Sequence, residues 1–92
     1  MKHTDYLIIG AGIVGCTAAY FLTKEGKKVL VVDRSFPCNE ASGVNAGGLE
    51  LLQQPPKSLP LHKEAADLWD MLQNEDGIDV GYQRTGGIYA NL

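Results

Sequence analysis

Tyr6-Leu-Ile-Ile-Gly-Ala-Gly-Ile-Val-Gly15 decides how the rest of this sequence is read. The apolar run from Tyr6 to Ile9 has the character of a strand, and it breaks into Gly10, Gly12 and Gly15 at the spacing G-x-G-x-x-G. Cys16 to Lys24 continues as a helix. Val29-Leu-Val-Val-Asp33 then supplies a second strand that ends in an acid 18 residues beyond Gly15. Strand, glycine bend, helix, strand and acid in this order predict a βαβ unit whose bend faces the diphosphate of a dinucleotide.

Each position has its own physical reason. Gly10 permits a tight turn out of the strand, where a side chain would collide or forbid the backbone angles. Gly12 leaves room for a pyrophosphate to approach the main chain, and Gly15 lets the helix pack closely on the strand. Ala11, Ile13 and Val14 complete the bend and the helix start. The helix N-terminus offers N–H groups without intrahelical acceptors and a partial positive charge, which suit a diphosphate. Asp33 is placed to accept hydrogen bonds from ribose hydroxyls.

A competing reading treats Tyr6 to Leu22, seventeen residues without a charge, as a membrane span or a signal-peptide core. A span needs about 20 apolar residues, and three glycines near its start weaken it. Asp5 stands where a signal peptide carries positive charge, and no small-residue cleavage site precedes Lys24-Glu25. The expectation is therefore no membrane span and a reducing, cytoplasmic setting.

Ninety-two residues allow one small domain at most, and the 45% apolar and 21% charged composition is that of a globular protein. A net charge of −3 gives no electrostatic reason to expect nucleic acid as a partner. Cys16 and Cys38 make no disulfide framework, and neither has a second Cys or a His at metal-ligand spacing, so no metal site is expected. Cys16 is read as a small packing residue and Cys38 as a loop residue after Pro37.

Working outward, the first helix is predicted from Ile13 to Glu25, with Val14, Ala18, Phe21 and Leu22 against the sheet and Gly26 as its cap. The continuous apolar strand Val29 to Val32 reads as one buried on both faces. Arg34 to Gly48 is irregular, and in place of a second crossover helix it carries a second glycine group. Gly43, Gly47 and Gly48 would let main chain lie against a bulky ligand, with Ser42 and Asn45 as hydrogen-bond donors. Leu49 to Gln54 is read as a short helical turn and Pro55 to Pro60 as a breaker.

Leu61 to Glu75 is predicted helical. Leu61, Ala65, Leu68, Trp69 and Leu72 form its apolar side, Lys63, Glu64, Asp67 and Asp70 face water, and Gly77 closes it. Trp69 and Met71 are read as packing residues. Val80 to Arg84 and Ile88 to Leu92 flank Thr85-Gly86-Gly87 as the strands of a hairpin, with Arg84 a solvated strand charge.

Four segments together resemble the amino-terminal part of the FAD-dependent amine and amino-acid oxidoreductases, the group of D-amino-acid oxidase and dehydrogenase and of sarcosine and glycine oxidase. They are Ile8-Ile-Gly-Ala-Gly-Ile-Val-Gly15, Asp33-Arg34, Ala41-Ser-Gly-Val-Asn-Ala-Gly-Gly48 and Arg84-Thr-Gly-Gly-Ile88. The resemblance implies FAD as cofactor and an α/β fold: an incomplete Rossmann-like βαβ unit over residues 1–54, then a helix and the first hairpin of a substrate domain over 55–92.

It also implies site residues. Gly10 to Gly15 would face the pyrophosphate and Asp33 the ribose. Arg34 and Ser42 would lie along the adenosine–pyrophosphate side, and Asn45, Ala46, Gly47 and Gly48 would approach the flavin end. The substrate in the complete enzyme would be a small amine or amino acid. Family members run to several hundred residues, so this chain is expected to be inactive alone, as a fragment or as a piece needing a larger partner subunit. No residue here is assigned a catalytic role. The alternatives are a non-catalytic nucleotide-binding module, an NAD-dependent dehydrogenase and a flavin hydroxylase with the same opening.

Overall fold

A computed structural model of the chain describes residues 3–51 and 54–88. They fall into two compact units, Met1–Ala46 and Gly47–Leu92, each taken here by itself.

The first unit is built on two parallel strands, β1 (Tyr6–Ile9) and β2 (Val29–Val32), joined by helix α1 (Ile13–Lys24). Register pairs Tyr6 with Val29 and Ile9 with Val32, and Gly10 N–H extends the ladder to Val32 O at 2.7 Å. The βαβ expectation holds. Parallel pairing brings Gly10 and Asp33, remote in sequence, to the same end of the sheet. At the other end Asp5 accepts the Lys28 N–H at 2.8 Å. Helix α1 stops one residue short of the expected Glu25, which serves as its C-cap, and Gly26 follows at φ +80°, the left-handed conformation a helix-closing glycine supplies.

The packing face of α1 differs from the expected one. Phe21 and Leu22 are half-buried as anticipated, but Val14 is 81% exposed and Ala18 is exposed. Gly15, Cys16 and Ala19 are half-buried instead. The reason is local: Gly15 brings the helix so near β1 that its own backbone, with its small neighbours, forms the contact. The strands also depart from the expectation of burial on both faces. Val29 and Val31 are half-buried, whereas Leu30 is 50% and Ile9 83% exposed. One helix covers one face of a two-stranded sheet.

After β2 the chain forms a short helix, α2 (Ala41–Val44), within the stretch expected to be irregular. Gly43 allows this winding, because a Cβ there would collide with the Cys38 carbonyl oxygen.

The second unit is organised by helix α3 (Leu59–Asn74). It begins two residues earlier than expected, with Pro60 inside its first turn and not ahead of it as a breaker. A proline is tolerated there because its missing N–H would have no acceptor. Gly77 at φ +72° ends it, with Ile78 N–H closing on Leu72 O at 3.0 Å. The inward face is His62, Ala66, Trp69 and Gln73, Ala66 being 5% exposed, while Leu61, Ala65 and Leu68 are exposed. Trp69 and Leu72 are half-buried as expected.

Leu49 to Leu51 and Gln54 carry no helical turn, and the remainder of that expectation lies outside the described residues. The hairpin is also absent from the described residues: 80–88 form no strand, and 89–92 lie outside them. The Gln73 side-chain amide replaces the strand partner. It accepts the Tyr82 N–H and donates to the Tyr82 carbonyl, both at 2.7 Å. The Tyr82 N–H and carbonyl are thus both satisfied by one side chain.

Candidate functional site

The site is the bend between β1 and α1 together with the chain that leaves β2. Gly10 stands at φ +108°, and nothing lies within 4 Å of the Cβ it lacks, so the glycine is required there by the backbone angle and not by crowding. Gly15 is the opposite case. A Cβ there would collide with the Gly10 carbonyl oxygen and lie 3.3 Å from Ile8 Cγ2. Gly12 is the third case: a Cβ would meet Ser42 Oγ at 2.9 Å, so the glycine is what lets the Ser42 hydroxyl lie close over the bend.

Ser42 takes the part of a missing helix cap. Gly12, the N-cap residue of α1, has no side chain to accept a first-turn N–H. Ser42 Oγ accepts the Ile13 N–H at 2.8 Å from 29 positions away. Cys38 makes the second tie, its N–H donating to Ala11 O at 2.9 Å. The segment after β2 is thereby folded back onto the glycine bend.

Asp33 completes the arrangement. Its Oδ2 accepts the Ala11 N–H at 2.8 Å and its Oδ1 the Ser35 N–H at 2.9 Å. The Ala11 hydrogen bond, then that from Ser35, hold its carboxyl below the ordinary value of 3.8; desolvation opposes them, and the Arg34 charge adds a lesser lowering. Asp33 is exposed. A carboxylate has about four lone-pair positions and two are used here, leaving capacity for hydroxyl donors.

The other sequence-predicted positions divide. Arg34 is strongly exposed, and its guanidinium pairs with Glu40 at 2.9 Å. Ile13 and Val14 present exposed side chains at the helix start. Asn45 caps the end of α2, its Nδ2 donating to Ser42 O, and Ala46 ends the first unit. Gly47, at φ +75°, and Gly48 belong to the second unit, where Gly48 borders a groove of about 160 Å³ with Leu51, His62, Ala66 and Trp69.

Sequence reasoning missed Ser35 and Cys38 as partners of the bend. Ser35 was legible in principle, since an Asp commonly bonds the N–H two residues on; nothing in the spacing signalled Cys38. Arg84 is not free toward solvent as expected, because its guanidinium bonds Asp67 Oδ1 and Asp70 Oδ2 of α3 at 2.9 Å each.

A parallel strand pair, a bend of three glycines with three different reasons, and an ionised acid bonded to the bend's own amide define a dinucleotide-binding βαβ unit. Comparison with known proteins gives the family. Residues 5–91 match the profile of the FAD-dependent oxidoreductases described as DAO, and the chain belongs to that family.

Among curated relatives, N-methyl-L-tryptophan oxidase of Escherichia coli O139:H28 is 35% identical over 96% of this chain and 24% of its own length. The protein of the same name from Salmonella enteritidis PT4 is 38% identical over 87% of this chain and 23% of its own. Among solved structures, the L-amino acid deaminase from Proteus vulgaris superposes with a TM-score of 0.78 at 28% identity, over 86% of this chain and 18% of that one. The chain thus spans about a quarter of the length of the curated relatives it matches. Among the described residues no helix is long and apolar enough to cross a membrane.

Proposed function

We propose that this chain is the FAD-binding amino-terminal segment of a flavin-dependent oxidoreductase that oxidises the CH–NH bond of an amino acid or a secondary amine. The observation that carries the reading is the Asp33 carboxylate bonded to Ala11 N–H at 2.8 Å, at the glycine bend between β1 and α1. A diphosphate requires close approach to main-chain N–H groups, and an adenosine ribose requires an acceptor next to it.

The residues present fit that ligand. Gly10 to Gly15 would receive the diphosphate along their main chain, at N–H groups other than those of Ala11 and Ile13, which Asp33 and Ser42 accept. Ser42 Oγ, while accepting from Ile13 N–H, keeps its own hydroxyl proton to donate to a phosphate oxygen. Asp33, ionised at neutral pH, would accept from the ribose. Arg34 would offer positive charge at the adenosine side, and Asn45 to Gly48 would continue toward the flavin. Bound FAD supplies the two-electron acceptor that turns an amine into an imine. The chain's own part is to hold and orient that cofactor.

The amine-recognising part of the enzyme is proposed to require polypeptide beyond these residues, with residues 55–92 opening the substrate domain. The one-sided covering of the sheet, which leaves Leu30 and Ile9 exposed, supports that reading. The relatives' names, an N-methylated amino acid in one case and an L-amino acid in the other, support an amino-acid-like substrate.

The test is equilibrium titration of the 92-residue chain with FAD and, separately, with NAD, followed by flavin fluorescence and calorimetry. Saturable FAD binding that is weakened by Asp33→Ala supports the reading. Preference for NAD, or FAD binding indifferent to Asp33, overturns it.

A further inference from the structure

The two cysteines, 22 positions apart, meet at the bend. The Cys16 thiol points at the Ala11 carbonyl oxygen from the first turns of α1 at 3.5 Å, and the Cys38 thiol points at the same oxygen from the segment after β2 at 3.7 Å. Their sulfurs are therefore separated by no more than the sum of those two distances. The Cys38 N–H also donates to that oxygen, at 2.9 Å, so the loop is anchored at the residue that carries the thiol. Both thiols are free; Cys38 is exposed and Cys16 half-buried.

We propose that Cys16 and Cys38 form an oxidation site, closing to an intrachain disulfide when the protein meets a hydroperoxide. The inference goes beyond the flavin reading and does not rest on it. Cys38, the accessible sulfur, attacks a peroxide oxygen as thiolate. The O–O bond breaks, and water leaves once the released hydroxide is protonated, giving Cys38 sulfenic acid. The Cys16 thiolate then attacks the Cys38 sulfur; the S–S bond forms, the S–OH bond breaks, and a second water departs. Two thiols give up two electrons and hydrogen peroxide accepts them, so the step balances with the hydroperoxide as the only co-reactant.

Closing the bond needs the sulfurs to come to about 2.05 Å. Rotation of the exposed Cys38 side chain about its anchored backbone supplies that movement. The product is a cross-link between the first turns of α1 and the chain leaving β2, the two segments that border the bend.

Trypsin separates the cysteines, since cleavage after Lys2, Lys24, Arg34 and Lys57 places them on peptides 3–24 and 35–57. The chain is treated with stoichiometric hydrogen peroxide, its remaining thiols are blocked with N-ethylmaleimide, and it is digested without reductant. The expected result is joint loss of both alkylatable thiols and recovery of the two peptides as one linked species, which dithiothreitol separates. Cys16→Ser and Cys38→Ser should each abolish the link, and Cys16→Ser should leave sulfenic acid on Cys38. Peptides that gain oxygen independently, or a link found only between two copies of the chain, would overturn the proposal. Equally rapid linking in urea would do the same, because the fold would then contribute nothing.

Discussion

The bend of the first unit and the α3 region of the second are held by different kinds of contact. At the bend the main chain does most of the holding. Gly10 N–H pairs with Val32 O and Cys38 N–H with Ala11 O, and the Asp33 and Ser42 side chains each accept one further N–H, from Ala11 and Ile13. In the second unit the segment around Tyr82 is held by side chains, namely the Gln73 amide, the tilted packing of Trp69 on Tyr82 at 6.4 Å between centroids, and the Arg84 pairs. Backbone-built geometry demands particular residues at particular spacings. Side-chain-built geometry accepts many sequences. The first is suited to receiving a ligand on bare backbone; the second positions a segment without prescribing it.

The strongest way to break this contrast is Gly15→Val. Its Cβ would enter the Gly10 carbonyl oxygen, a backbone atom that cannot swing aside, so α1 must lift from β1. Overpacking of this kind costs about 3 kcal/mol, and a β-branched residue relieves little of it by rotamer change. Hydrogen exchange of β1 and α1 amides should accelerate by roughly 100-fold, while α3 amides keep their protection. Equal acceleration in α3 would show that the two regions do not differ as described.

Asp33→Asn comes next; it keeps the shape, removes the charge and gives up one of the two bonds. Asparagine can still accept from Ala11 N–H but turns a donor toward Ser35 N–H, and it removes the anion. Affinity for FAD should fall about 10–100-fold, the loss expected when a charged hydrogen-bond acceptor goes. The pH dependence has a definite sign. The folded carboxyl lies below its ordinary value of 3.8, so its stabilising effect is complete above that value and is lost as pH falls through the lowered one. Exchange protection of β1 and α1 should therefore show an acid limb below pH of about 3.9 that Asp33→Asn reduces.

The same contrast explains what could be read in advance. Gly10, Gly12, Gly15 and Asp33 were legible because each answers a backbone or charge requirement that few residues meet, and the parallel register followed from them. The inward face of α3 was misread by about one position. The apolar Leu61, Ala65 and Leu68 suggested one stripe, but His62 and Gln73, polar in type, take the interior because they have something to bond or line there. Of the expected hairpin, the second strand lies largely outside the described residues; Val80, Gly81 and Tyr82 have strand chemistry but form no strand, and the Gln73 amide bonds the Tyr82 backbone. Ser42 reads from its place in the second glycine group as a hydrogen-bond donor to a ligand; its capping of Ile13, 29 positions away, has no signature in local spacing.

Gln73→Leu sharpens the side-chain half of the comparison. Leucine keeps the volume but leaves the Tyr82 N–H and carbonyl without their partner in a half-buried place, at a cost of about 1–2 kcal/mol. The Tyr82 amide should lose its exchange protection, and Trp69 fluorescence should shift as Tyr82 moves off the indole. Unchanged fluorescence would mean that ring packing alone holds the segment.

The smallest effect is expected from Arg84→Met, despite two short ion pairs. Arg84 raises its own proton affinity through Asp67 first and Asp70 second, but all three side chains are well exposed, 40% for Arg84 against 60% and 37% for the two carboxylates. Water and salt screen such pairs, and long side chains lose freedom in making them. Methionine preserves the aliphatic stem that lies along α3 while deleting the charge. Exchange at Tyr82 should change by less than about fivefold, and the wild-type value should be nearly insensitive to added sodium chloride. A loss as large as that of Gln73→Leu would reverse the order and make charge pairing with α3, in place of the amide mimicry at residue 73, the contact that holds this segment.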